Sequence, residues 1–335
     1  MFPTLLSLIS VACAGQDSPQ PAPDETPLEL FEVVKIVDGD TLHVLRDGKK
    51  EKLRLLSVDT EEKFNPGYRG SPTKPQTVFG EDCALWAREF ITEHATVDGV
   101  VQVALAFPPG KEERDIYGRL LCHVLLPDGT DFDLLLVEKG KSPYFNKYGN
   151  SRICHEAFVA AQERARSARL GIWNPRTNAP AVEGRPAVRR PYDRLLPWWQ
   201  ARAEAIDDFR RHRGERVVAA DDAVALERAA ALEDPQVSVF GTPYRLFEET
   251  DGSLTVLFRA TDPKRALRVR IANEDRERHA SLDLKGLTEE FRQNYVYVEG
   301  RLRRTEHGFE FPSTGPEAWR RAGPEPASAT QAPAD

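Results

Sequence analysis

From residue 31 onward the chain alternates short apolar-rich runs with two-residue turn signals, the period-two pattern of half-buried strands. Such runs occupy 31–36, 41–45 and 52–58, and Asp47-Gly48 marks a hairpin between the second and third. At 81–94 the pattern changes to helical spacing, with Ala84, Leu85, Ala87, Phe90 and Ile91 on one stripe. Strands return at 100–106 and 119–126, and Asp128-Gly129 turns the chain. A short helix at 131–139 stops at Gly140. A longer one at 152–169 turns Phe158, Ala161, Ala165 and Ala168 inward and ends at Gly171. Five strands with three attached helices predict an OB-fold barrel of the mixed α+β class over 28–174.

Residues 175–235 form a connector that is rich in proline and alanine at first. Helical spacing follows at 191–213, with Leu195, Trp199, Arg202, Ile206 and Phe209 on one stripe, and again at 221–232. Trp198 and Trp199 carry large apolar surface, and packing against a domain is the expected use of it. Over 236–318, apolar runs recur at 237–240, 254–258, 267–271 and 295–302. Turn signals at Asp251-Gly252 and His307-Gly308 and a helical excursion at 287–291 complete a second OB-like β-barrel pattern. Residues 15–27 are a polar, proline-rich tether and 319–335 a tail; both read as disordered.

Composition places the chain among globular proteins, at 40% hydrophobic and 30% charged residues. The net charge of −7 is unusual for a partner of nucleic acid, which ordinarily leaves a basic footprint. Residues 1–14 hold a short apolar run ending in Ala12-Cys13-Ala14. They read as a secretory signal cleaved after Ala14, or as a lipoprotein signal with a lipid anchor on Cys13. No other stretch has the length of a transmembrane helix. Cys83, Cys122 and Cys154 permit one disulfide and a leftover thiol; no paired spacing suggests zinc. Cys122, in an apolar strand, also reads as a buried small hydrophobe.

The chemistry concentrates in 37–62. Asp38-Gly39-Asp40-Thr41 is followed by Arg54-Leu-Leu-x-Val-Asp59-Thr60-x-Glu62, and later by Arg114-Asp115-Ile116-Tyr117-Gly118-Arg119. Carboxylate oxygens of Asp40 and Asp59, with the Thr60 carbonyl as a third donor, suit Ca²⁺ or Mg²⁺. Planar guanidinium groups at Arg54 and Arg119 suit a phosphate. Glu62 is placed to orient or deprotonate a water. The set describes metal-assisted attack on a phosphodiester.

With Leu170-Gly171-Ile172-Trp173 closing the series, these motifs resemble those of the staphylococcal nuclease (thermonuclease) family over about 31–173. The resemblance implies an OB-fold, one Ca²⁺ held by Asp40, Asp59 and Thr60, and catalysis by Arg54, Glu62 and Arg119. It also implies a substrate-phosphate contact from Tyr117. Tyr144 and Tyr148 are further candidates for the substrate. By the same resemblance the enzyme cleaves DNA and possibly RNA to 3′-phosphate and 5′-hydroxyl ends, here as an exported phosphodiesterase. Three departures stand out: Glu61 where the family has proline, placing a second negative charge beside the metal; Ile116 where it has lysine; and a longer loop over 62–80, which includes Tyr68, Arg69 and Lys74. The rival reading is a non-catalytic pair of OB-like barrels that binds single-stranded nucleic acid or a protein partner. In a third, the first barrel is an active nuclease and the second a dock for partners.

Overall fold

The computed structural model describes residues 27–67, 71, 73–110, 112–115, 117–179, 188–260, 262–289 and 295–322. The leader with Cys13, most of the tether, Tyr68, Arg69, Ile116, Phe291 and the end of the tail lie outside them. The chain forms two compact units. One comprises Met1–Asn146 and Asn150–Leu196, the other Lys147–Gly149 and Pro197–Asp335.

The first unit opens with an antiparallel meander of β1 (Phe31–Asp38), β2 (Thr41–Arg46) and β3 (Lys49–Leu55). Asp47 and Gly48 turn the β2–β3 hairpin with φ of 50° and 71°, the positive pair that a right-twisted two-residue hairpin demands. Then come α1 (Val78–His94), the short β4 (Thr96–Val97), β5 (Val100–Ala106), the short β6 (Glu113–Arg114), β7 (Leu120–Leu125), α2 (Phe132–Glu138) and α3 (His155–Ser167). β7 runs parallel to β3 and antiparallel to β5, and β5 returns to β1 through Phe31 opposite Val103. The ring β1-β2-β3-β7-β5-β1 is closed, so the barrel leaves no long free edge. Alternate residues of each strand fill it: Leu42 and Val44, Leu53 and Leu55, Leu120, Cys122 and Val124 are all buried. The first helix lays Cys83, Ala84, Ala87 and Ile91 inward.

The expected elements are present with shifted ends. β3 stops at Leu55 rather than continuing to 58, because Ser57 adopts φ 62° and Val58 leaves the ladder to bridge Tyr144. α1 starts earlier than predicted, at Val78, where Thr77 caps it by accepting the Gly80 N–H. Ala168 is exposed as the C-cap of α3 rather than packed inward. Cys83, Cys122 and Cys154 are three separate buried thiols, so the disulfide that their number permitted is not formed.

The helix α4 (Tyr192–His212) carries the chain past Leu196 into the second unit. There follow β8 (Val217–Ala219), α5 (Ala223–Ala230), β9 (Gln236–Gly241), β10 (Pro243–Glu248), β11 (Leu254–Phe258), β12 (Leu267–Ile271), α6 (Leu284–Glu289), β13 (Val296–Arg301), β14 (Arg303–Thr305), β15 (Gly308–Pro312) and β16 (Trp319–Arg321). They make a five-stranded sheet, β10-β11-β12-β15-β14, and a four-stranded one, β16-β13-β9-β8. Only Thr242 separates β9 from β10, and only Leu302 separates β13 from β14, so two bent strands run through both sheets. Counted that way, the wiring repeats the first barrel: a three-strand meander, a parallel pairing of the third strand with the fifth (β12 with β15), and antiparallel return of the fourth to the first (β13 with β9). β8 and β16 are additions at the sheet edges. Among the described residues, no helix is long and apolar enough to cross a membrane.

Candidate active site

Three chain segments bring the predicted acids and arginines to one end of the first barrel. The β1–β2 turn presents Asp40, β3 carries Arg54 next to its last residue, and the stretch after it carries Asp59 to Glu62. Two glycines allow the close approach this needs. A Cβ on Gly39 would lie 2.6 Å from the Thr60 methyl and 2.8 Å from the Cys83 sulfur. One on Gly80, in the first turn of α1, would lie 2.2 Å from the Glu62 carbonyl oxygen. With both side chains absent, the Asp40 Oδ2 accepts the Thr60 N–H at 3.0 Å and the Thr77 N–H reaches the Glu62 carbonyl at 2.9 Å.

The carboxylates are buried and densely paired. Arg54 sends Nη2 to Asp59 Oδ1 at 2.9 Å and Nη1 to within 3.3 Å of Asp40 Oδ2, and it also donates to the carbonyls of Leu55 and Val58. Lys74 places its ammonium between two acids, 3.0 Å from Asp59 Oδ1 and 2.7 Å from Glu62 Oε1. Arg190 takes the other Asp59 oxygen with Nη2, the Asp59 carbonyl at 3.1 Å and the Thr73 carbonyl at 2.8 Å. Burial alone would push the Asp59 carboxyl up. Arg190, Lys74 and Arg54 outweigh it and hold the group well below the usual carboxylate range. Asp38 has the opposite balance, since burial and the neighbouring Asp40 push it up to about 7. Asp40, Asp59 and Glu62 thus face Arg54, Lys74 and Arg190, three negative charges against three positive ones.

Arg119 approaches from the β6–β7 turn. Asp115 orients it, accepting its Nε at 2.7 Å and its backbone N–H at 2.9 Å. Its Nη1 stands 3.5 Å from Thr41 Oγ1, which donates to Asp40 Oδ1 at 3.1 Å. The Tyr117 ring lies beside the Arg119 guanidinium and is 75% exposed. The other two candidate tyrosines differ in burial. Tyr144 is a core residue, 3% exposed, stacked on Phe158 at 5.0 Å with its hydroxyl held by His155 and by the Ser151 N–H. Its ring has no open face for a substrate, which corrects the expectation from sequence. Tyr148, 62% exposed, belongs to the second unit.

Glu61 also differs from expectation. Its carboxylate is held by neutral donors rather than by the cations of the site. It turns toward the start of α1 and accepts from Thr77 Oγ1 at 2.5 Å, Asn178 Nδ2 at 2.7 Å and the Tyr192 hydroxyl at 3.1 Å. Lys74, Arg190 and Asp115 are the site residues that sequence reading left without a role. Asp115 lies within the quoted motif. Lys74 has a faint signal as a lysine set between Pro72 and Pro75 beside an acidic stretch, whereas Arg190 has none.

A separate cluster deep in the same unit joins His123, Asp131 and Cys154. His123 Nδ1 and Asp131 Oδ2 are 2.7 Å apart, a hydrogen bond too short to admit an ion between them.

A family model described as staphylococcal nuclease homologue matches residues 52–175. The thermonuclease of Staphylococcus hyicus is 30% identical over 146 residues, which are 44% of this chain and 76% of that protein. Endonuclease YncB of Bacillus subtilis (strain 168) is 31% identical over 140 residues, 42% of this chain and 59% of that protein. The thermonuclease of Staphylococcus intermedius is 29% identical over 147 residues, 43% of this chain and 76% of that protein. The family match ends at 175, short of Arg190 and of the main segment of the second unit.

Proposed function

Because the chain belongs to the staphylococcal nuclease family, we propose that it hydrolyses phosphodiester bonds of DNA, and of RNA, at the acid–guanidinium cluster of the first barrel. The observation that carries this reading is the convergence of Asp40, Asp59 and Glu62 with Arg54 and Arg119 on a single barrel end.

The donor set fits a hard cation: two buried carboxylates and a backbone carbonyl at Thr60 are oxygen ligands of the kind Ca²⁺ takes. Held there, Ca²⁺ would neutralise phosphate charge and polarise the phosphoryl oxygen. The chain's own groups do the rest. Glu62 accepts a proton from water as the water oxygen bonds to phosphorus and the P–O5′ bond breaks; the departing 5′-oxygen takes a proton from solvent. That balance leaves 3′-phosphate and 5′-hydroxyl ends. Arg119 is the more open guanidinium, fixed by Asp115, and its bonds to the equatorial oxygens strengthen as charge gathers there. Arg54, set among the acids, holds Asp40 and Asp59 side by side and completes the clamp. Such a clamp grips backbone rather than base edges, so sequence preference is weak. The apolar leader supports an exported enzyme, testable by finding Gly15, or a lipidated Cys13, at the N-terminus of the mature protein.

The test is digestion of single- and double-stranded DNA by the full chain, in Ca²⁺ and in chelator, beside Arg119→Ala and Glu62→Gln. Expected is Ca²⁺-dependent cleavage that falls by about two to three orders of magnitude in each variant. A well-folded protein that binds DNA without cutting it, across metals and pH, would replace the nuclease with a tandem-barrel binding module.

A further inference from the structure

The acids that suit a divalent ion are already neutralised by the chain itself. Lys74 Nζ is within hydrogen-bonding distance of both Asp59 and Glu62, so it stands between the two carboxylates that flank the reaction centre. A divalent ion bonding Asp59 oxygen at about 2.3–2.6 Å would meet this ammonium as a like charge at close range. The lysine is not there by chance of a loose surface loop. Arg190 clamps the loop that carries it: one guanidinium joins the carbonyl of Thr73, the residue before Lys74, to the carbonyl and carboxylate of Asp59. Arg190 is buried, and Tyr192, two residues on, fastens the same segment to Glu61. Ser71 and Lys74 exchange backbone hydrogen bonds at 2.9 and 3.2 Å, which ties down the Lys74 backbone.

We infer that Lys74 is a resident counter-cation of the carboxylate centre, positioned by Arg190, and that it competes with the divalent ion and so sets the metal affinity of the site. The inference rests on the proposed metal-dependent function and adds a specificity-determining residue to it. Lys74 and a divalent ion exclude one another at Asp59: the ion enters as the lysine swings out to solvent, toward which a third of its side chain is already open. The apparent metal affinity is then the intrinsic affinity scaled by the fraction of molecules with Lys74 withdrawn. If that fraction is about one in ten, removing the ammonium tightens binding about tenfold.

The decisive measurement is equilibrium binding of Ca²⁺ by calorimetry, and of Tb³⁺ by sensitised luminescence, to the full chain and to its Lys74→Gln and Lys74→Met variants. The two variants guard against a single misfolded one, and circular dichroism verifies each. Both should bind about tenfold tighter or more, and their thermal midpoints should rise with Ca²⁺ more steeply than the wild type's does. Asp59→Asn in the Lys74→Gln background should abolish that gain. Equal or weaker binding in folded Lys74 variants, with the wild type binding Ca²⁺ normally, would overturn the competition and leave the calcium reading standing. No binding by any of the proteins, with cleavage persisting in chelator, would overturn both.

Discussion

The two barrels share a wiring and differ in what their ends do with it. In each, a threonine of the second strand faces an arginine of the third: Thr41 opposite Arg54 in the first barrel, Thr255 opposite Arg270 in the second. Each arginine has an aspartate from the preceding turn. Arg54 lies 3.3 Å from Asp40, and Arg270 lies 3.6 Å from Asp251. There the likeness ends. The Arg54 and Asp40 side chains are 12% and 8% exposed, and Asp59, Glu62, Lys74 and Arg190 crowd around them; Arg270 and Asp251 are 42% and 63% exposed and share only the neutral Ser253. The difference comes from the stretch after the third strand. In the first barrel it is long and carries Asp59, Glu62 and Lys74, which meet beside Arg54. In the second it coils through short 3₁₀ turns directly to α6. An OB-type barrel supplies a platform, and a connection that buries acids against an arginine turns the platform into a site.

The sharpest way to break the comparison is to remove the two arginines. Arg54→Met takes the paired guanidinium from the buried Asp40 and one of three cations from Asp59, and should destabilise the first barrel by about 3–5 kcal/mol while abolishing cleavage. Arg270→Met removes a solvent-exposed pair, and the second barrel should lose no more than about 1 kcal/mol, with cleavage intact. Urea denaturation followed by hydrogen exchange resolves each barrel separately. Equal losses in the two would mean that burial of the Arg54 cluster contributes nothing beyond an exposed ion pair.

A milder test uses the third residue of the helix that follows strand three. That residue is Gly80 in α1 and Gly286 in α6. A Cβ at Gly80 meets backbone, the Glu62 and Glu61 carbonyls at 2.2 and 2.8 Å, so the catalytic loop must move. At Gly286 it meets only the exposed Asp283 carboxylate at 2.1 Å, which can rotate away. Gly80→Ala should cost about 1–3 kcal/mol and lower kcat through Glu62, and Gly286→Ala should stay within about 1 kcal/mol of wild type. Thermal midpoints and single-turnover cleavage rates check both.

Much of this was legible before any coordinates. The strands follow from alternation and from Asp-Gly turns, and the acids and arginines of the site sit at strand ends within short motifs. What escaped sequence reading has physical causes. β10 is mostly exposed, with only Pro243 buried and Leu246 half-buried, so no core pattern announces it. Glu61 and Glu62 are adjacent in an extended segment, and only packing decides that Glu61 turns to Thr77 while Glu62 meets Lys74. Tyr144 reads as a loop aromatic because its strand-like bridge to Val58 is a single isolated pairing. Arg190 meets Asp59 across 131 positions, a distance at which no periodicity or motif operates.

The smallest expected difference concerns a histidine that each barrel buries to 1% exposure. His279 rests on neutral partners, the Asp275 carbonyl at 2.8 Å and the Ser313 hydroxyl at 2.8 Å. His123 faces carboxylates instead, with Asp131 at 2.7 Å and Asp133 nearby. Burial disfavours its charge, but Asp133 and the bond to Asp131 outweigh burial and raise the His123 pKa above its ordinary 6.5. A folded-state value above the unfolded one means that the folded state binds the extra proton. The stabilisation is therefore fully present below pH 6.5 and is lost as pH rises through the folded value. Asp133, whose carboxyl burial pushes well above the usual range, acts in the same direction. Across this window the first barrel should weaken with rising pH, by no more than about 1.4 kcal/mol per pH unit for one proton. His123→Gln should flatten that slope. A slope of opposite sign in β7 exchange protection, corrected for intrinsic rates, would mean that His123 is buried neutral.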